Sequence, residues 1–329
     1  MTIDLPRRIA ILGVLALVLV VAAVASIGVG ATSIPPTEIW RTVTDFHGTN
    51  NQLIIRDVRW PRTILAVCVG AALAISGALI QTLTRNPLAE PGILGVTAGA
   101  GFAITLGAAL GLAASAFGQL ALAVFGSVIA AVIVYTVGRT APLRLVLAGV
   151  ALTFVLAGIS LGLRMLLPTV FDRFRFWSVG SLAGREQVSL LLPLVVIGLA
   201  LLGAIAVTRQ LTAVALGDDV AHTLGANVAR TRLVVLALVT MLAGAATAIA
   251  GPIAFVGLMI PHLARRLAGG SIPWMIGYAM VLGPILLLVA DIASRVLLPT
   301  GEVPVAVVTA FIGAPVLIWA VRRYGAMSL

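Results

Sequence analysis

Ten long apolar runs decide most of what this chain can become. They lie at about 9–31, 62–82, 93–113, 118–138, 143–167, 188–207, 232–250, 253–263, 272–297 and 303–321. A helix needs roughly 20 apolar residues to cross the hydrocarbon core of a bilayer, and nine runs are near or above that length. The eighth, IAFVGLMIPHL at 253–263, is short and is expected to form a tilted or half-depth helix. Only 10% of the 329 residues are charged and 61% are hydrophobic, against roughly 25% charged in a soluble domain. One core could not bury that much apolar surface, so lipid must be the solvent for most of the chain. The expected fold is an all-α polytopic membrane protein of about ten transmembrane helices, with 1–329 a single transmembrane domain.

The first run follows PRR and ends near AVASIGVGA, a pattern shared with cleaved signal peptides. Its apolar stretch exceeds the roughly 7–15 residues of a signal core, so an uncleaved first helix is expected. An even number of spans puts both termini on one side. Placing them in the cytoplasm leaves 12 of the 21 Arg inside and 9 outside. That split has the sign the positive-inside rule requires for a multi-pass protein of the cytoplasmic (inner) membrane. The excess is small, which implies that something retains Arg on the outer face.

What is missing also constrains function. The chain has no Lys, and a Walker A loop needs one on the nucleotide phosphates, so no P-loop ATPase resides here. Cys68 has no thiol partner, and His47, His222 and His262 have no second ligand at metal spacing, so neither a disulfide nor a metal site is expected. No carboxylate sits in the middle of a span, which removes the usual proton- or sodium-coupling groups of a secondary transporter. A membrane-embedded enzyme would need a cluster of His, Asp or Glu that the spans lack. Energy for any transport must come from another chain.

Shifting the sequence by 174 positions aligns GAALAISGALIQ (70–81) with GAATAIAGPIAF (244–255) and places Pro87 on Pro261. Small residues recur in any membrane helix, but the matched proline favours a duplication, with halves at about 62–167 and 236–321. Transporters are commonly built from two such repeats with the path between them. The pairs Gly95/Gly99, Gly107/Gly111 and Gly158/Gly162 have the spacing that lets helices approach closely.

Few polar residues interrupt the spans. Asp291 and Arg295, four apart, can pair on one helix face. Arg164 stands near the outer end of the fifth run, either snorkelling or lining an entrance for an anion. The longest inner loop, at 208–232, reads as two short helices. Asp218 or Asp219 caps the first, Gly225 stops it and Asn227 starts the second. Val220, Leu224 and Val228 then form an apolar face suited to a groove on a partner. On the outer side, RDVRWPR (56–62) and FDRFRFWSVGSLAGR (171–185) interleave Arg with aromatics, the composition both of protein-binding hot spots and of interfacial anchors. RNPLAEPGILG (85–95) lacks Lys and any nucleotide-type Gly spacing; its prolines end the second helix and start the third.

Six stretches in order resemble the FecCD-type permeases, the membrane subunits of ATP-binding-cassette importers for iron–siderophores, haem and cobalamin. They are RDVRWPRTILAVCVGAALAISGALIQTLTRNPLAEPGILG, RLVLAGVAL, RFWSVGSL, ALGDDVAHTLGANVARTR, AGPIAFVGLMIPHLAR and VVTAFIGAPVLIW. The resemblance covers essentially the whole chain and looks closest to the ferric-enterobactin type. It implies the type II importer permease fold and a second permease subunit, the same or a related chain. It also implies two ATPase subunits carrying ATP and Mg, an extracytoplasmic substrate-binding protein, and a ferric siderophore as substrate, with haem or cobalamin as alternatives. No cofactor on this chain and no nucleic acid are implied. By position, Asp218, Ala221, Leu224, Gly225 and Asn227 fall in the ATPase-coupling segment, and Arg56, Arg59 and Arg295 where the binding protein docks. Asn86, Leu88, Pro142 and Arg164 fall along the path or its gate. The second mouth loop has Ala141, Pro142 and Leu143 where relatives have small hydroxyl residues.

Overall fold

The computed structural model describes residues 4–30, 32–113, 115–138, 142–185, 191–298 and 301–324. Each of the ten apolar runs forms a helix. α1 (Leu5–Gly28) is followed by the short α2 (Pro36–Thr44) and α3 (Asn50–Leu53), then by a π-helical turn at Ile54–Arg59. α4 (Trp60–Thr84) leads through a 3-10 turn at Pro91–Leu94 into α5 (Val96–Ala109). Next come α6 (Ala116–Gly138), α7 (Pro142–Leu166) and the short α8 (Pro168–Ser178). α9 (Leu191–Ala206) bends by 55° into α10 (Thr208–Ala215), and α11 (Asp218–Thr223) follows. α12 (Val228–Ala250), α13 (Val256–Ala268), α14 (Ile272–Val296) and α15 (Val305–Tyr324) complete the described chain, which contains no strand. Lipid offers backbone groups no partners, and helices satisfy theirs internally.

Six helical stretches are long and apolar enough to cross a bilayer: α1, 50–84, α6, α7, α12 and α14. The bent pair α9–α10 makes a seventh if it counts as one span. α5 and the apolar part of α15 are shorter. α13 has 13 residues, the short eighth helix expected from its sequence.

The bundle is built around α4. In its apolar window 83% of the residues are buried, against 11% in α1 and 17% in α7. α4 packs on α14, α12, α13 and α9. Glycine makes these approaches possible. A Cβ on Gly70 would overlap the backbone of Gly283 in α14, and one on Gly77 would overlap the Gly257 carbonyl in α13. Without side chains at these crossings the helix backbones touch, and dispersion contact replaces the hydrophobic drive that lipid cannot supply. Of the spaced pairs, Gly99 packs backbone-to-backbone on Gly126, and Gly107 meets Leu122. Gly158 and Gly162 face open space on α7.

The two shifted segments differ in where the helix stops. α4 continues through Gln81 to Thr84, whereas α12 ends at Ala250 and Gly251 turns out of it with φ 76°. Pro87 lies in the turn after α4, but Pro261 lies inside α13. Pro261 has no N–H for the carbonyl four residues back, that of Gly257. The Gln81 amide supplies the missing donor: its Nε2 donates to Gly257 O at 3.3 Å and to Leu258 O at 3.2 Å. α4 is thereby pinned to α13 beside the Gly77–Gly257 crossing.

Candidate functional site

The charged residues gather at the two ends of the bundle. At one end the turn after α4 meets the short helices α10 and α11. α4 closes with Arg85 in the left-handed region, φ 50°, with Asn86 N–H donating to Gln81 O and Arg85 N–H to Thr82 O. Glycine usually takes that place in such a cap, since a side chain there is strained. Here the side chain has a task. Its Nη2 donates to Val214 O in α10 at 2.7 Å and to Asp218 Oδ1 at 3.0 Å. Arg232, one turn into α12, contacts the other Asp218 oxygen at 2.7 Å. Arg85 and Asp218 together thus tie the end of α4 to α10, α11 and α12. Each pair is partly exposed, and such pairs add only about 0–1 kcal/mol, so the node sets geometry more than stability.

This arrangement revises the reading of the inner loop. Three helical pieces occupy it rather than two: α10, α11 and the first turn of α12. Asp218 does not cap α11, whose cap is Gly217 with φ 125°. Asn227 does start a helix: its side chain accepts from Arg230 N–H at 2.9 Å, opening α12. Gly225, φ 76°, makes the turn between them. Ala221 is fully buried and faces the core, and Val228 is buried too. The exposed apolar stripe is Leu216, Val220 and Leu224, with Leu216 missed and Val228 wrongly included. Leu216 carries the same i, i+4 spacing, hidden because α11 begins only after it.

In the RNPLAEPGILG turn, Asn86 Oδ1 accepts from Leu88 N–H at 2.9 Å, which folds the turn locally. Asn86 and Leu88 are both exposed at the tip. Glu90 is largely covered, and burial pushes its carboxyl above the usual carboxylate range. Ala141 lies outside the described residues, and of Pro142 only the backbone, at the start of α7, is described.

At the opposite end two of the three expected docking arginines are turned inward. Arg59 Nη1 donates to Ile27 O at 2.6 Å and Gly28 O at 2.9 Å, and Nη2 donates to Thr32 O. Arg295 Nη1 donates to Ser26 O and Val29 O, each at 2.9 Å. The last carbonyls of a helix lack partners and its C-terminus attracts cations, so both side chains cap α1. Both are buried and are not presented for docking in this conformation. Arg56 is exposed, its guanidinium 5.2 Å from the Phe46 ring.

The Asp291–Arg295 pair forms at 3.1 Å. A missed third member, Arg62, contacts Asp291 at 2.8 Å and Glu302 at 2.8 Å. Arg62 is more than 200 residues from both acids, so no local spacing announces it. Arg164 donates from Nε to Ser160 O, and its guanidinium carbon stacks 4.1 Å from the Phe174 ring. Trp177, in the aromatic loop, is buried and donates to Thr247 O at 3.2 Å, anchoring α8 to α12. Among the described residues no three His, Cys, Asp or Glu side chains gather to hold a metal.

A ten-run helical bundle with a structured inner loop, a capped turn wired to it and an Arg-rich opposite end can be compared with known proteins. Residues 18–323 match the FecCD transport family. The chain belongs to that family. Among FecCD relatives, the ferric enterobactin transport system permease of Escherichia coli is 46% identical over 327 residues, covering 98% of this chain and 97% of that protein. The hemin transport system permease of Yersinia pestis is 37% identical, covering 95% of each. A solved metal-chelate type ABC transporter in an inward-facing conformation superposes with a TM-score of 0.84 at 30% identity, covering 95% of this chain and 99% of that one. The FecCD chain described here is thus a multi-pass ABC transport permease, and its helices take that fold.

Proposed function

We propose that this permease is half of the transmembrane core of an importer that carries a ferric siderophore across the cytoplasmic membrane. The observation that carries this reading is the end-to-end similarity to the ferric enterobactin permease. The Arg-rich end, with Arg56 and Arg164 among its exposed or half-buried members, suits an anionic chelate and an acidic partner, since positive potential steers such encounters. In this reading that end faces outward and receives a substrate-binding protein. The termini and the Arg85 turn lie in the cytoplasm. Two separate ATPase subunits, which hold the ATP and Mg, dock on the Leu216–Val220–Leu224 stripe. The permease itself holds no cofactor. A second permease subunit lies against α7, where a Cβ added at Gly158 or Gly162 would meet only open space in a single chain. A haem substrate is the second reading, supported by the hemin permease relative.

Asp218 joins ATPase docking to the gate. Movement of α11 pulls on Arg85 and so on the turn bearing Asn86 and Leu88. The test is uptake by proteoliposomes holding the permease, its ATPase and its binding protein loaded with a ferric chelate or with haem. Uptake is expected for the ferric chelate alone and only with ATP. Asp218→Asn is expected to cut uptake about tenfold or more at near-normal ATP turnover, equivalent to ~1.4 kcal/mol of coupling. Uptake that persists with a hydrolysis-dead ATPase would overturn the reading.

A further inference from the structure

A crevice between α6 and α12 has two halves of opposite character. The upper half is a cavity of about 500 Å3 lined by Arg232, Asp218, His222, Asn227 and Thr84, and by Tyr135 and Leu236 where it meets the lower half. The lower half is a groove of about 210 Å3 that shares Tyr135 and Leu236 and runs on past Ala131, Ala237 and Met241. The one hydroxyl along the α12 side of the groove, that of Thr240, already donates to Leu236 O at 2.8 Å. Its rim residues Val128, Val132 and Leu233 are exposed on the outside of the bundle, so the groove opens sideways.

We propose that this crevice holds an anionic phospholipid, its phosphate beside Arg232 and one acyl chain along the groove. The layout matches an amphipathic molecule standing in the membrane. The cavity lies at the ends of three spans, α4, α6 and α12, where headgroups sit, and the groove descends along the spans. Tyr135 marks the boundary, as aromatic residues do at membrane interfaces. A chelate or peptide in the lower half would lose its hydration without gaining a partner, whereas a hydrocarbon chain loses nothing there. The charge also fits. The Asp218 carboxylate in the lining is shared between Arg232 and Arg85, which lies just outside the cavity. The two arginines and one acid leave the node one positive charge in excess, with His222 and Asn227 offering further donors. Basic pockets between helices are the usual seats of anionic headgroups.

The test is native mass spectrometry of the full chain with phosphatidylglycerol or phosphatidylcholine of identical acyl chains. Phosphatidylglycerol is expected to bind at least about fivefold more tightly, the worth of roughly one basic residue near a headgroup. Arg232→Gln is expected to bring the two lipids to the same affinity. Ala237→Trp, which adds bulk at a residue lining the groove, is expected to weaken both. Glycerol phosphate, a headgroup without chains, is expected not to compete. Equal binding of the two lipids to the unaltered chain overturns the proposal. So does phosphatidylglycerol binding unchanged by Ala237→Trp, or a thiol crosslink from the Ala237→Cys variant to a second copy's helix in place of lipid.

Discussion

Single residues hold this bundle together where lipid cannot. Gly77 lets α4 touch α13, and no rotamer adjustment relieves an overlap between a Cβ and a backbone carbonyl. Gly77→Ala is therefore expected to destabilise the permease by at least the ~1–3 kcal/mol of core overpacking, read as a lowered melting temperature in detergent. Gln81→Leu should cost ~1–3 kcal/mol, because the Gly257 carbonyl freed by Pro261 loses its donor. Glu90 adds a pH dependence. Its carboxyl titrates above the ordinary carboxylate range in the folded turn, so its neutral form is the one the fold favours. Stability from this group is complete below the unfolded carboxylate range and falls as pH rises through the raised folded value. Glu90→Gln is expected to flatten that fall in melting curves taken across acidic to neutral pH. Arg85 shows the converse economy: a strained left-handed residue kept because its guanidinium reaches α10 and α11.

At the scale of elements, α1 is secured at both ends. Tyr278 in α14 donates to Arg8 O at 3.1 Å near its start, and Arg59 and Arg295 cap its finish. Of the two capping arginines, Arg295 is in turn held by Asp291, which is shared with Arg62. Removing one member of a buried ion cluster leaves uncompensated charge, so Arg62→Gln is expected to cost ~3–5 kcal/mol. Arg56→Gln, at an exposed position, should leave the melting temperature within the ~0.5 kcal/mol typical of surface changes. Comparing the two by thermal unfolding separates the structural arginine from the exposed one. If Arg62→Gln melts like the unaltered chain, the cluster does not hold α1 and α14 together.

Across the whole molecule, the node at one end and the arginine cluster at the other are joined by α4, which runs from Arg62 to Arg85 through the centre of the bundle. A helix with polar ties at both tips is suited to carrying a displacement from one end of the bundle to the other. Breaking its mid-helix contact at Gly70–Gly283 should therefore lower uptake more than ATP turnover, measured in the same proteoliposomes.

The apolar runs by themselves determined the helices and the membrane, because runs of roughly 20 apolar residues cross lipid as helices, which satisfy their backbone internally. Local spacing was enough to foresee the Asp291–Arg295 pair, the Asn227 cap and the short α13. The ordered motifs carried the family. Spacing could not tell which arginines face inward, since Arg56 and Arg59 look alike in sequence and only the packing of α1 beside the π-turn separates them. Nor could it foresee Arg62 with Glu302, Gln81 with Gly257, or Asp218 between Arg85 and Arg232. Those contacts join residues far apart in the chain, and they exist only once glycine has let the helices close on one another.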